Sequence, residues 1–117
     1  MQSDATFGTE MLLDLFDGDR AAVIDLLTVA VKTIERDLSR IEEAVRSHDA
    51  RELAEASHSL KGASAGIGAE RVSQLSATIE RSGATFSESD STAIADLREA
   101  TQSLIADIES FSSKSMH

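Results

Sequence analysis

The chain has 117 residues, enough for a single domain, and carries a formal net charge of −10 at pH 7 with no cysteine, proline, tryptophan or tyrosine. The missing cysteines exclude disulfides and thiolate metal sites, and the acidic charge argues against nucleic acid or an anionic membrane surface as a partner, since both attract clustered Lys and Arg. No run approaches 18 apolar residues and the first ten residues lack the features of a signal peptide, so we expect a cytoplasmic protein.

The spacing of apolar residues predicts an all-helical chain. Apolar positions recur at steps of three and four, and the absence of proline is typical of long helices. Asp19 and Asp49 are predicted to cap helices, and Glu52 gives the second cap the form of a capping box. The predicted helices span residues 9–16, 20–47, 50–67, 69–81 and 91–111, with a polar loop over residues 83–90.

The predicted helices assemble most simply into one antiparallel, up-down four-helix bundle. Four of them are long, carry narrow apolar stripes and are joined by short links, which is typical of such bundles. The short first helix is an extra N-terminal helix that covers one end. Because one chain supplies all four helices, we expect a single domain over residues 1–117 and a monomer.

The third predicted helix carries the sequence ASHSLKGASAGIGA over residues 56–69. On a helical wheel Leu53, Leu60 and Ile67 define the inner face, and His58 stands about 160° from Leu60. The wheel therefore predicts that His58 points outward. The glycines at the end of this sequence, Gly66 and Gly68, are interpreted as helix terminators.

Of four helical positions next to His58, three hold small residues. Ala54, Gly62 and Ala65 stand at i−4, i+4 and i+7, and Lys61 stands at i+3. A glycine inside a helix costs about 1 kcal/mol relative to alanine, so Gly62 needs a reason, and close approach by another surface supplies one. An exposed neutral imidazole is a nucleophile, and Lys61 can stabilise an anion beside it. The pattern points to transient attachment of a phosphoryl group to His58.

The same residues carry a resemblance. HSLKGASAGIGA resembles the motif of the histidine-containing phosphotransfer (HPt) domain family, His-x-Leu-Lys-Gly followed by a glycine ten residues after the histidine. LSATIE, over residues 75–80, is similar to the family's next helix, and the helix before the site is similar too, so the resemblance covers most of residues 19–81. The residues that match the motif are His58, Leu60, Lys61, Gly62 and Gly68.

The resemblance implies a four-helix bundle that acts as a phosphorelay intermediate. His58 would accept a phosphoryl group from the aspartyl phosphate of a receiver domain, in a response regulator or hybrid sensor kinase, and pass it to another receiver's Asp. Lys61 would stabilise the phosphoryl charge, and Gly62 would leave clearance for the partner. The implied protein is a carrier and not an enzyme, without ATP-dependent kinase activity or a cofactor of its own, since Mg²⁺ belongs to the receiver.

We expect the receiver to dock on the exposed sides of the second and third helices near His58. Partly exposed apolar residues there would receive the receiver's first helix. The predicted contacts on the third helix are Ala54, Ser57, Ala65 and Ser64.

Two other functions stay open. The dimerising histidine domain of a sensor kinase also uses an exposed helical histidine, but an acidic residue normally follows it and a proline lies further along. Here Ser59 follows, and the chain has no proline. A helical interaction bundle without phosphotransfer would not depend on His58 as a nucleophile. His48, His58 and His117 do not have metal-ligand spacing, so no metal site is predicted.

Overall fold

The helices form an antiparallel bundle. The computed structural model describes residues 6–82 and 91–114. These residues form α1 (Thr9–Leu15), α2 (Arg20–Ser47), α3 (Ala50–Gly66), α4 (Glu70–Ser82) and α5 (Ser91–Lys114). Each of the four long helices packs against the next along the chain, α5 returns to pack on α2, and α1 packs on α2. The predicted all-α four-helix bundle with a short extra N-terminal helix is therefore confirmed.

The observed helix ends lie close to the predicted ones. The largest difference is at the end of α5, which continues to Lys114, so the helix is three residues longer than predicted. The predicted polar loop over residues 83–90 and the C-terminal His117 lie outside the described residues.

Aspartates begin the two helices that lead to the site. The side chain of Asp19 accepts a hydrogen bond from the amide of Ala22 at 3.1 Å, and that of Asp49 accepts one from the amide of Glu52 at 3.0 Å. Both predicted N-caps are confirmed. The predicted capping box is wrong in its second half, because the Glu52 carboxylate accepts bonds from Arg40 of α2 at 2.8 and 3.1 Å instead. Glu52 thus joins α3 to α2.

The core of the bundle is aliphatic. Burial of each such side chain stabilises the fold by about 1.5–3 kcal/mol relative to leaving it exposed. Polar side chains interrupt this core at Asp37, Ser57, Ser64, Ser76 and Thr101. The largest fully buried apolar side chains are Leu12, Val23, Leu27, Ile34, Ile41, Leu60, Val72, Ile79, Leu97 and Leu104.

The segment before α1 closes one end of the bundle. The amide of Gly8 donates to the carbonyl of Ile67 at 2.9 Å, so this segment crosses the turn between α3 and α4. Phe7 is buried there, and its ring meets that of Phe111 edge-to-face at 5.9 Å between centroids. Gly68 has a φ of +73°, and a Cβ on it would lie 2.8 Å from the nitrogen of Gly8. Glycine at 68 therefore serves both the left-handed turn and the close crossing of the two backbones.

Two glycines lie where α3 ends: Gly66 is its last helical residue, and Gly68 lies in the turn that follows. The amide of Gly68 donates to the carbonyl of Ala65 at 3.0 Å, and that of Ala69 donates to the carbonyl of Ser64 at 2.8 Å, as in a left-handed helix termination. Gly66 is still helical, and a Cβ on it would meet nothing within 4 Å. The predicted end of the helix at Gly66 and Gly68 is therefore confirmed, although only Gly68 of the two adopts the left-handed conformation.

Candidate functional site

His58 lies near the middle of α3 on its solvent face. The opposite face of the helix buries Leu53, Ala56 and Leu60 in the core. The side chain of His58 is 69% exposed, so the predicted outward orientation is confirmed. An approaching molecule can therefore reach the imidazole without any rearrangement of the core.

Glu80 of α4 joins His58 to Lys61. Its Oε2 lies 2.9 Å from Nδ1 of His58, and its Oε1 lies 2.9 Å from Nζ of Lys61. One carboxylate thus contacts both polar residues that the motif places on α3. We call His58, Lys61 and Glu80 the site triad.

Glu80 has no role predicted from the sequence. The signal that could have found it is its distance from the turn. The antiparallel helices α3 and α4 are joined by the turn that contains Gly68. Residues at similar distances before and after that glycine therefore lie side by side. His58 is ten residues before Gly68 and Glu80 is twelve after it.

The contacts of Glu80 settle which imidazole nitrogen carries the hydrogen. The hydrogen bond from Lys61 holds the pKa of Glu80 below its ordinary value, the bond from His58 lowers it further, and partial burial opposes both. Glu80 is therefore ionised at neutral pH, and an ionised carboxylate only accepts hydrogen bonds. Nδ1 must be the donor, which leaves the lone pair of a neutral imidazole on Nε2.

Three small residues surround the imidazole on α3. A Cβ on Gly62 would meet nothing within 4 Å, so packing within the bundle gives no reason for a glycine there. Ala65 is exposed and Ala54 is half-buried. The surface next to His58 is therefore open.

The other two predicted contacts on α3 are wrong. Ser57 and Ser64 are both fully buried, so a docking partner cannot touch their side chains. Ser64 donates from its hydroxyl to the carbonyl of Leu60 at 2.6 Å, and Ser57 has no hydrogen-bond partner among the described residues. Their small size made them resemble the surface residues beside them, but both lie on the side of α3 that faces the core.

On the other side of His58, Ser59 bonds a buried carboxylate of α2. The hydroxyl of Ser59 donates to Oδ2 of Asp37 at 2.5 Å. Oδ1 of Asp37 accepts from Arg36 at 3.3 Å and from Arg40 at 3.4 Å. Asp37 has no role predicted from the sequence. The available signal was an acidic residue within the apolar stripe of α2, between Ile34 and Ile41.

The Hpt domain family model matches residues 25–111. This span is more than half of the chain and includes the whole site triad. The chain belongs to the Hpt domain family. It is accordingly a histidine phosphotransfer intermediate of phosphorelay signalling, and members of this family are phosphotransfer carriers that interact with receiver domains.

The structure of this Hpt domain is similar to a known one. It matches the crystal structure of histidine-containing phosphotransfer protein B (HptB) from Pseudomonas aeruginosa PAO1 with a TM-score of 0.81 and 20% sequence identity, over 92% of this chain and 95% of that one. At this identity the likeness shows a shared fold. A comparison with curated proteins gives no significant match.

Exposed apolar side chains of this Hpt domain lie toward the end that α1 covers. Val29 of α2 is 63% exposed and Leu26 is 36% exposed, and Met11 and Leu15 of α1 are also exposed. Because α2 and α3 are antiparallel and Asp37 contacts Ser59, Val29 lies about eight residues, or about 12 Å, along the bundle from the level of Ser59. That position is opposite the C-terminal end of α3.

Among residues 6–82 and 91–114, no group of three or more His, Cys, Asp or Glu is placed to hold a metal ion. Within the same ranges, every helix is too short or too polar to cross a lipid bilayer.

Proposed function

We propose that His58 is the residue that accepts and donates the phosphoryl group. Its partner is the receiver domain of a response regulator or hybrid sensor kinase, which supplies an aspartyl phosphate and Mg²⁺. The observation that carries the proposal is the site triad, an exposed imidazole whose Nδ1 is held by an ionised carboxylate beside a lysine. This arrangement leaves Nε2 as the nucleophile.

The transfer balances without a cofactor on this chain. The lone pair of His58 Nε2 attacks phosphorus, and an Nε2–P bond forms as the P–O bond to the aspartyl group breaks. The bonding electron pair leaves with the receiver's carboxylate. The hydrogen stays on Nδ1, and the Glu80 carboxylate stabilises the positive charge that develops on the ring. Transfer to a second receiver is the reverse of this step.

Lys61 supplies positive charge next to the transferred group. In the structure its ammonium is paired with Glu80, so it is already held close to the imidazole. An ammonium has three donors, so Lys61 can keep its bond to Glu80 and also donate to a phosphoryl oxygen. It would then offset part of the negative charge that the phosphoryl group brings to an acidic protein.

The receiver docks on a surface that runs from His58 toward the α1 end of the bundle. We call Gly62 and Gly66 of α3 together with Leu26 and Val29 of α2 the docking face. Both glycines border open space, and both apolar side chains are solvent-exposed. An apolar helix of the receiver would cover them. Ala54 and Ala65 are the proposed flanking contacts.

The carrier has no ATP-dependent kinase activity of its own under this proposal. It works as a monomer in the cytoplasm, as the sequence predicts. A single helical chain with one nucleophile needs no second copy to complete the site triad, because α3 and α4 of the same chain supply all three residues.

Labelling from two donors tests the proposal. The protein is incubated with a ³²P-labelled receiver domain, and separately with labelled ATP alone. We expect acid-labile label from the receiver and none from ATP. His58→Gln should abolish the label while circular dichroism shows an intact fold, and the matched control His48→Gln should label normally. Label that persists in His58→Gln would contradict the assignment.

A further inference from the structure

Asp37 is a buried carboxylate for which the transfer chemistry has no use. Its side chain is 0% exposed in the middle of α2. Taking a carboxylate out of water is costly unless hydrogen bonds replace its hydration. Asp37 has three such partners, Arg36, Arg40 and Ser59. A buried ion cluster of this kind is often no more stabilising than apolar residues of the same volume, so stability alone does not explain it.

The contact between α2 and α3 also does not depend on Asp37 alone. The ion pair between Arg40 and Glu52 already joins the two helices with contacts of 2.8 and 3.1 Å. Glu52 lies seven residues before Ser59, which is about 10 Å along α3. The contact between Asp37 and Ser59 differs from that ion pair in its position along α3, because Ser59 directly follows His58.

At the position of His58 and Ser59, α3 is hydrogen-bonded to both neighbouring helices. Ser59 bonds Asp37 of α2, and His58 bonds Glu80 of α4. Adjacent helical residues project about 100° apart, so the two bonds act on different sides of the helix. Together they resist rotation of α3 about its own axis. Either bond alone would leave that rotation less restricted.

We propose that Asp37 and Ser59 are positioning residues that fix the rotation of α3 and so aim His58 at the aspartate of the docked receiver. The inference rests on the proposed function. An imidazole about 6 Å from the helix axis moves by about 1 Å when the helix rotates by about 10°. A misplacement of about 1 Å can slow a reaction between two oriented groups by about a hundredfold. A small loss of rotational restraint therefore has a measurable effect on transfer.

Ser59→Ala tests this with a minimal change of shape, because it removes one hydroxyl from a half-buried position. Transfer from the phosphorylated receiver is measured by rapid quench at saturating receiver. We expect Ser59→Ala to be about tenfold slower and Ser59→Thr, which keeps the hydroxyl, to be close to wild type. Glu52→Gln is the matched control, because it removes the charge from the other link between α2 and α3, and it should change the rate less than about twofold.

Two further measurements separate the orientation of His58 from other causes of slower transfer. Phosphoramidate, a small phosphodonor, approaches the imidazole without docking, so its rate of labelling should be unchanged by Ser59→Ala. Asp37→Ala, in a side chain that no partner can touch, should slow transfer from the receiver as Ser59→Ala does. If Asp37→Ala does not fold, the Ser59 variants still decide the question.

Three outcomes would overturn the inference while leaving the proposed function intact. Ser59→Ala could transfer at the wild-type rate, it could lose no more than Glu52→Gln, or it could lose its reactivity with phosphoramidate as well. A wild-type protein that takes no phosphate from any receiver would instead refute the proposed function, and the inference with it.

Discussion

The Glu80 carboxylate lies 2.9 Å from Nδ1 of His58, so a residue of α4 holds the imidazole that α3 presents to solvent. The same carboxylate lies 2.9 Å from Nζ of Lys61. The orientation of the nucleophile thus depends on the packing of two helices and not on the motif of one.

Removal of the Glu80 carboxylate should slow phosphotransfer without weakening docking. We expect Glu80→Ala to lower the maximal transfer rate by about 10- to 100-fold, because the imidazole loses both its orientation and the partner for its developing charge. The receiver concentration at half-maximal rate should stay the same. Glu70→Ala, which removes an exposed acid from the first turn of α4, is the control. Equal rates for Glu80→Ala and wild type would show that the bond to His58 has no role in transfer.

The ionisation of Glu80 gives a pH prediction. Its pKa is lowered in the folded protein, chiefly by the hydrogen bond from Lys61, whereas the unfolded chain has the ordinary value near 4.5. A depressed carboxyl pKa contributes stability that is present above the unfolded value and is lost as the pH falls through the folded one. Carboxyl ¹³C NMR should show a midpoint below 4.5 for Glu80. Lys61→Ala should move that midpoint upward, and a midpoint unaffected by this substitution would contradict the assigned cause.

The sequence was informative about features that depend on local pattern. The helix spans, the two aspartate caps and the outward orientation of His58 follow from residue spacing within one segment, and the structure agrees with them. Glu80 and Asp37 were missed because their roles depend on contacts between helices, which one helix's periodicity does not specify. The burial of Ser57 and Ser64 was not predicted, because small polar side chains are typical of exposed positions and only the packing of the neighbouring helices buries these two.

Gly62 of α3 and Gly68 in the turn after it should respond differently to the same substitution. Gly62→Ala adds a methyl group into open space within a helix and should raise the free energy of unfolding by about 0.5–1 kcal/mol. Gly68→Ala should lower it by at least about 1–2 kcal/mol, because the new Cβ would be strained at a φ of +73° and would lie 2.8 Å from the backbone of Gly8. Urea denaturation measures both. A destabilising Gly62→Ala would indicate a packing role for Gly62.

A longer side chain at Gly62 should separate stability from function. Gly62→Gln should weaken docking and slow transfer from the receiver, because it fills the docking face, while its melting temperature stays close to that of wild type. Arg51→Gln, at an exposed position nearly two turns from His58 on the same helix, is the control for transfer. A large loss of melting temperature with normal transfer would contradict the clearance role.

The buried hydroxyl of Thr101 should be dispensable for folding. Its Oγ1 has no hydrogen-bond partner among the described residues, and an unpaired buried polar group costs about 1–3 kcal/mol. Thr101→Val, which keeps the shape, should therefore raise the free energy of unfolding by about 1 kcal/mol. Ser64→Ala is the matched control and should lower it, because Ser64 does donate a bond, to Leu60. A destabilising Thr101→Val would show that the hydroxyl is paired in solution.

The most direct test of the central claim is the position of the phosphoryl group on the imidazole. Long-range ¹H–¹⁵N NMR of the protein with ¹⁵N-labelled histidine, recorded before and after phosphorylation by a receiver, distinguishes the two ring nitrogens. We predict that Nε2 of His58 becomes phosphorylated while Nδ1 keeps its hydrogen and its bond to Glu80. Phosphorylation of Nδ1, or of a different histidine, would contradict the account.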